Sequence, residues 1–345
     1  MPYAVLGSIY NRLGNREKAL EEAHEAMRVE PNRGSSYVSL GADYTALNQM
    51  DEAAAVYQTA KERKVDSERL LANRYQLAFL KGDPAQMAQL ASVAMGKPGT
   101  EDSLLALEAD TEGWHGRLKN AGGLTRRAMD SALRNDAKET AATYQAAAGL
   151  WEAESGSREQ ALADTHAAVK LAPNRDVRAM AALALARAGD SAGAKKLVAE
   201  LDKTFPLDTL TQTYWLPTIR AAIALQGKDP NRAVELLKVT SAIELGQPGP
   251  PVPLCPVYLR GEAYLMLHDG NSASAEFQKF IDHRGVVGNF PWGALARLGL
   301  ARAYAEQGNT VKARAAYQDF LTLWNDADPD IPIYKQAKAE YAKLQ

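Results

Sequence analysis

The feature that most constrains this chain is a pattern of apolar and small residues that recurs after 34 positions. The eight positions of the first copy are Leu6, Gly7, Tyr10, Gly14, Ala19, Ala23, Ala26 and Pro31. Their counterparts are Leu40, Gly41, Tyr44, Asn48, Ala53, Tyr57, Ala60 and Val65. A fixed period of this length is typical of an array of helix–turn–helix units that bury their apolar faces against one another.

Turn residues extend the array along the chain. The first four, which lie between the two predicted helices of each unit, are Gly14, Asn48, Gly82 and Gly116, and they are 34 residues apart. Glycine suits a helix end because the backbone there often adopts a left-handed conformation, for which asparagine is the usual substitute. The later ones are Gly156, Gly189, Gly227 and Gly308. The longer interval between Gly116 and Gly156 predicts an insertion near 130–138 in a longer helix or a loop.

The pattern resembles the tetratricopeptide repeat (TPR), a 34-residue motif with Leu-Gly and Tyr on its first helix and small residues on its second. This resemblance implies an all-α, right-handed TPR-type solenoid of about nine helical hairpins plus a C-terminal capping helix, with the first helices on the inner face. We divide the chain into hairpins over 1–129, irregularly spaced hairpins over 130–243, a proline-rich loop over 244–257, and hairpins with the cap over 258–345.

The closing third has a narrower resemblance, carried by the runs PPVPLCPVYLRGEAYL, AEFQKFIDHRGVVGNFPWGALARLGLARAY and DADPDIPIYKQAKAEYAKL. They are similar to the C-terminal repeat region of bacterial eukaryotic-like serine/threonine protein kinases. The chain has no kinase glycine-rich loop, His-Arg-Asp loop or Asp-Phe-Gly motif. The resemblance therefore implies a docking or regulatory role. The resemblance also implies an N-terminal kinase domain in a longer protein. Because the chain starts inside a repeat, we expect it to be a fragment of such a protein.

The amino-acid composition limits the classes of partner and the cellular environments that this chain suits. The chain has 40 basic and 42 acidic residues and a net charge of −2, which argues against nucleic acid because a nucleic-acid interface needs a basic stripe. No apolar run reaches the roughly 20 residues of a membrane helix. With a single cysteine, Cys255, no internal disulfide can form. We expect a cytoplasmic protein, or a periplasmic one if the chain belongs to a membrane-spanning kinase.

The motifs in the sequence predict no catalytic residue, no cofactor and no metal site. Asp326, Asp328 and Asp330 alternate as in a calcium-binding loop, but that loop requires glycine and glutamate where this chain has Ile331 and Ala337. Helix capping is the favoured interpretation of these aspartates. We therefore expect a non-catalytic scaffold whose partner is a protein or peptide.

The candidate peptide groove consists of first-helix side chains that the turn glycines place on the inner face. They are Arg12, Asn73, Gln76, Phe79, Asp110, Trp114, Glu154, Arg187, Tyr258, Glu262, Arg302 and Glu306. Aromatic and arginine side chains are the usual anchors of a peptide interface. For Phe79, Trp114 and Tyr258 the alternative interpretation is packing between hairpins. The charges alternate in sign, which suits a segment of mixed charge.

One specific mode of binding is not predicted. TPR proteins that bind chaperone tails hold a C-terminal carboxylate with Lys and Asn side chains from three first helices. The matching positions here are Ala4, Ser8, Ser39, Arg69 and Asn73. Because only Arg69 is a cation, we do not expect a chaperone carboxylate clamp.

Overall fold

The computed structural model describes residues 2–65, 67–246, 249 and 252–344. In these residues the regular elements are helical, and they form an all-α solenoid of TPR-type hairpins. The helices are α1 (Pro2–Arg12), α2 (Arg16–Val29), α3 (Gly34–Ala46), α4 (Met50–Glu62), α5 (Glu68–Lys81), α6 (Pro84–Ala94), α7 (Glu101–Trp114), α8 (Leu118–Arg134), α9 (Lys138–Ser155), α10 (Arg158–Leu171), α11 (Arg175–Arg187), α12 (Ser191–Thr204), α13 (Leu216–Gln226), α14 (Pro230–Leu237), α15 (Cys255–Met266), α16 (Gly270–Asp282), α17 (Arg284–Val287), α18 (Trp292–Glu306), α19 (Thr310–Leu323) and α20 (Pro332–Ala342).

The predicted count of about nine hairpins plus a cap is confirmed in the described residues. The pairs run from α1–α2 to α13–α14 and continue as α15–α16 and α18–α19, with α20 as the cap. The short helix α17 connects the last two hairpins. The longer interval between Gly116 and Gly156 is taken up by long helices, because α8 has 17 residues and α9 has 18.

The turns take the predicted left-handed conformation with one exception. Gly14, Gly82, Gly116, Gly156, Gly189 and Gly308 have positive φ angles, and Asn48 has a φ of 62°. At the seventh hairpin Gly227 has a φ of −76°, and the next residue, Lys228, has a φ of 59°. The left-handed position therefore lies one residue later than predicted.

Aspartate and asparagine set the start of many second helices. Asp83, Asp190, Asp229, Asp269 and Asn309 each accept a hydrogen bond from the backbone N–H three residues later, at 2.9–3.1 Å. Such an N-cap satisfies one of the donors that a helix start leaves unpaired and contributes about 1 kcal/mol.

The proline-rich loop ends earlier than predicted. Helix α15 begins at Cys255, and Pro256 lies in its first turn, where the missing N–H has no acceptor to lose. Cys255 is consequently a buried helical residue rather than a loop thiol. Gln247, Pro248, Pro250 and Pro251, which carry most of the predicted polyproline character, lie outside the described residues.

The two ends of the solenoid meet along a line of contacts, which we call the seam. Arg16 donates to the Leu245 carbonyl at 2.6 Å, and the side chain of Asn48 donates to the Asp282 carbonyl at 2.6 Å. The Trp324 indole donates to the Trp114 carbonyl at 2.9 Å. Turns of early hairpins thus bond the connections that follow hairpins seven, eight and nine, so the solenoid closes on itself.

The aspartates that alternate near the C-terminus also belong to the seam. Asp328 accepts a hydrogen bond from the backbone N–H of Lys119 at 2.9 Å, and Asp330 pairs with the Lys119 ammonium at 3.2 Å. Asp328 therefore binds the N-terminal turn of α8, which belongs to the fourth hairpin.

Candidate functional site: an inner cavity in the first four hairpins

A cavity of about 520 Å³ lies inside the first four hairpins. Its walls are mainly the first helices α1, α3, α5 and α7, with contributions from the second helices α2 and α4. Residues 246, 249, 252–253 and 285–290 close it from the C-terminal half. This size is within the range of roughly 300–1,000 Å³ that is typical of ligand sites. Closure across the seam thus covers part of an open inner face and leaves a cavity that is still accessible from outside.

Four of the twelve predicted groove residues line this cavity: Arg12, Asn73, Gln76 and Asp110. Asn73 donates to the Val38 carbonyl at 3.3 Å. Within the described part of the chain, Arg12, Gln76 and Asp110 have no hydrogen-bond or ion-pair partner. Arg69 also lines the cavity and is likewise free of such partners there. The cavity therefore presents basic and acidic side chains that have no partner.

Asp110 is the most perturbed of these groups. Burial raises the pKa of its carboxyl to about 8, because no cation lies close enough to compensate for lost hydration. The Asp110 carboxyl is therefore mostly protonated at neutral pH unless a cation binds beside it.

A second acid lies at the α1–α3 side of the cavity. Asp43 is 2% exposed and accepts from the Asn11 amide at 2.7 Å through one carboxylate oxygen. Its other oxygen has no partner among the described residues. Burial raises the pKa of Asp43 to about 6, although Asn11 and Arg16 act to lower it.

Tyr57 reaches the cavity from the second helix α4. The Tyr57 ring lies directly over Gly41, the glycine of the repeat's Leu-Gly pair. A Cβ atom at Gly41 would overlap the ring, so glycine at this position leaves room for the aromatic side chain. Its hydroxyl is buried without a hydrogen bond of normal geometry to the described residues. Asp43 and Tyr57 therefore give the cavity wall two buried polar atoms that need partners.

The groove residues of the C-terminal half have a different environment. Arg187 of α11 donates to Glu154 of α9 at 2.8 Å and to Glu262 of α15 at 2.7 Å. Burial raises the pKa of Glu154, and the Arg187 guanidinium acts in the opposite direction. These three predicted residues bind one another and so connect hairpins five, six and eight.

The predicted aromatic anchors are packed. Tyr258 is 4% exposed and stacks on Trp292 with ring centroids 4.7 Å apart. Trp114 is 8% exposed and meets the half-buried Phe79 edge to face at 5.2 Å. The guanidinium of Arg297 lies over the Trp114 ring at 5.4 Å. Trp114 and Tyr258 are thus unavailable as peptide anchors, since the closed solenoid covers both.

The last two groove residues contact their own half of the molecule. Arg302 forms an ion pair with Glu340 of the cap at 2.9 Å, and Glu340 also accepts from the Tyr317 hydroxyl at 2.9 Å. Glu306 lies within 3.0 Å of the exposed His268 ring. Neither Arg302 nor Glu306 lies at the cavity.

Sequence reasoning missed several cavity residues. Asp43 could have been found, because it shares α3 with the inner-face residue Ser39 and follows it by four positions, which is one helical turn. Asn289 could not, because it reaches the cavity from the connection before α18. It donates there to the Leu107 carbonyl at 2.7 Å.

None of the helices in the described ranges is both long and apolar enough to cross a membrane. In the same ranges no group of three or more His, Cys, Asp or Glu side chains is arranged to hold a metal ion.

Comparisons with known proteins find similarity to this chain among solved structures. No family model matches the sequence, and no curated protein matches it. Yeast Tom70 is 14% identical over 99% of this chain and 95% of its own, with a TM-score of 0.36. A tetratricopeptide repeat protein from Parabacteroides merdae is 15% identical over 88% and 97%, with a TM-score of 0.37. The human IFIT1 dimer with m7Gppp-AAAA is 18% identical over 84% and 68%, with a TM-score of 0.43. All three scores are below 0.5, so none assigns a ligand or partner to this chain.

Proposed function

We propose that this protein is a non-catalytic scaffold that binds a short peptide segment of a partner protein in the cavity of its first four hairpins. The supporting observation is that polar side chains of four first helices line the cavity and that Arg12, Arg69, Gln76 and Asp110 among them have no partner in the described residues. The same inner positions in the C-terminal half are engaged by the chain's own residues. The peptide-binding region is therefore narrower than the groove expected along the whole solenoid.

The chemistry of the cavity fits an extended peptide. Asn73 and Gln76 are one turn apart on α5, so both amides face the cavity and can bond backbone groups of a segment. Arg12 and Arg69 offer positive charges for its side chains, and Asp110 offers a carboxyl group that becomes negative when it loses its proton. With a net charge of −2 and no basic stripe, we expect a protein partner rather than nucleic acid. The proposed location is the cytoplasm, or the periplasm if the chain belongs to a membrane-spanning kinase.

The test is calorimetric titration of pooled, randomised tetrapeptides into wild-type protein and into a double variant with Asn73→Ala and Gln76→Ala. We expect at least a tenfold loss of affinity, because two amides that bind the peptide backbone would be gone. A matched control carries Asn271→Ala and Gln318→Ala on exposed faces of α16 and α19. Equal affinity in wild type and the cavity variant would rule out the cavity as the peptide site.

A second candidate, the docking part of a bacterial serine/threonine kinase, is supported by the sequence resemblance of the closing third. It is compatible with the first candidate, because a docking segment of a kinase also binds peptides. The discriminating observation is the coding sequence immediately upstream of Met1. An in-frame kinase domain would support this candidate, and a stop codon with a ribosome-binding site would exclude it.

A further inference from the structure

Asp110 lacks the cation that several buried acids of the C-terminal half have. In the C-terminal half, Glu154 faces Arg187, Glu340 faces Arg302, and Glu244 faces Arg260 at 2.6 Å. Asp110 lines the cavity with no such partner in the described residues. An acid that is enclosed and left unpaired is costly, and an incoming cation would remove that cost.

A second, independent observation comes from Asp43, which lies on α3 in the cavity lining. Asp43 is 2% exposed, lines the cavity, and has one carboxylate oxygen without a partner among the described residues. Buried polar atoms in native proteins are nearly always bonded to protein or to an ordered molecule. The cavity lining therefore presents two acceptors that donor groups of an occupant can satisfy.

We propose that the peptide segment presents a cationic side chain, Arg or Lys, to Asp110; this inference rests on the peptide-binding function proposed above. Arginine fits best, since its five N–H donors can bond a carboxylate and neighbouring amide oxygens together. The Gln76 side chain lines the same cavity and provides such an oxygen.

The unpaired arginines define the rest of the segment. Arg12 on α1 and Arg69 at the start of α5 line the cavity, are exposed and have no carboxylate partner in the described ranges. They are suited to bind an acidic side chain. The segment thus combines one basic residue for Asp110 with an acidic residue for Arg12 or Arg69.

Several titratable groups surround Asp110 and bear on the pH dependence of cation binding there. Tyr75 of α5 and Tyr144 of α9 interact with its charge, and both phenols have raised pKa values because of burial. Residues 285–290, which close the cavity, contain no titratable side chain. On α7 the nearest acids are Glu108 and Glu112, and burial raises the pKa of Glu108.

The direction of the pH effect follows from the Asp110 carboxyl, whose pKa burial raises to about 8. A cation binds the ionised form, so the carboxyl must release its proton when the peptide binds. The ionised fraction rises about tenfold between pH 7 and pH 9, and affinity should rise by the same factor. Asp43, with a pKa of about 6, is ionised throughout this range.

The experiment uses two pools of acetylated, amidated tetrapeptides that are identical except at one fixed position. That position is arginine in one pool and citrulline, its neutral analogue, in the other. Calorimetry at pH 7 and pH 9 is performed on the full chain, on Asp110→Asn, and on Asp136→Asn. Asp136 is an exposed residue with a φ of 58°, a conformation that asparagine tolerates, so it controls for loss of one carboxylate.

We expect wild type and Asp136→Asn to bind the arginine pool at least tenfold more tightly than the citrulline pool at pH 9. We also expect about a tenfold gain for the arginine pool from pH 7 to pH 9. Asp110→Asn should lose both effects while keeping its circular dichroism. Equal binding of the two pools, or a pH effect that persists in Asp110→Asn, would overturn the cation pairing and leave the peptide site intact. Binding of neither pool would overturn both proposals.

Discussion

The two halves of the inner face carry similar residues in opposite circumstances. Arg187 in the C-terminal half is bonded to Glu154 and Glu262, whereas Arg12 in the N-terminal half has no partner in the described residues. Glu154 faces a guanidinium, whereas Asp110 faces a cavity. Position within a repeat thus places a side chain on the inner face, and the neighbouring turn of the solenoid decides whether it remains free.

The cause of the difference lies in what covers each half. The cap α20 reaches Arg302 through Glu340, and Trp292 stacks on Tyr258, so the C-terminal inner face is filled by the chain itself. Over the first four hairpins, the described residues of two short connections cover the inner face without filling it. The N-terminal half therefore retains space for another molecule.

The largest expected effect comes from removing the central arginine of each half. Arg187→Leu leaves the Glu154 carboxylate buried without its cation, and we expect a loss of about 3–5 kcal/mol in the free energy of unfolding. Arg12→Leu removes an exposed, unpaired charge and should change that free energy by about 0.5 kcal/mol or less. Urea unfolding measures both. Losses of equal size would contradict the contrast between the halves.

An intermediate loss in the free energy of unfolding is expected from a substitution that weakens the contacts of the seam. A Cβ atom at Gly285 would overlap the backbone of Thr45, so Gly285→Ala must push α17 away from α3. We expect a loss of about 1–3 kcal/mol and faster amide exchange over residues 285–290.

Gly123 provides the matched control, because it lies within α8 and a Cβ atom there would have no neighbour within 4 Å. Gly123→Ala should stabilise the protein by about 0.5–1 kcal/mol. Destabilisation by both substitutions, or by neither, would mean that the seam does not hold the cavity closed.

The smallest effect concerns the pH dependence of stability in the peptide-free protein. The pKa of Asp110 is raised by burial to about 8, so the native state binds this proton more tightly than the unfolded state does. The stability of wild type should therefore fall, relative to Asp110→Asn, as pH rises from about 4 to 8. At pH 9 we expect the variant to be more stable by on the order of 1–2 kcal/mol.

Urea unfolding at pH 4, 7 and 9 measures this difference, with Asp136→Asn as the exposed control. At pH 4 the carboxyl is protonated in the native state and half-protonated when unfolded, so wild type and Asp110→Asn should be nearly equal. A difference between them that does not change with pH would show that Asp110 is not enclosed.

Local periodicity accounts for what could be predicted from the sequence. The interval between Gly14, Asn48, Gly82 and Gly116 predicted the hairpins, because each unit repeats one supersecondary structure. The same interval placed Arg12, Asn73 and Gln76 on the inner face. Gly227 was misjudged by one residue, since Lys228 also tolerates the left-handed turn.

Contacts across the seam could not be predicted in this way. Arg16 and Leu245 are 229 positions apart, and Asn289 and Leu107 are 182 apart. Neither separation is a multiple of the repeat, and the curvature that brings these residues together accumulates over many units. For that reason twelve side chains were expected in one groove, whereas four of them line the cavity and the others contact the chain's own residues.

Thiol accessibility is the most direct test of the central claim that only the N-terminal inner face is open. Ser39 lines the cavity on α3, and the natural Cys255 is fully buried at the start of α15. Burial raises the pKa of the Cys255 thiol and so suppresses its reactive thiolate. In native Ser39→Cys we expect a small thiol reagent to label one of the two cysteines, position 39, and to label both in urea. Protection of position 39 in the native protein, or equally fast labelling of Cys255, would contradict the claim.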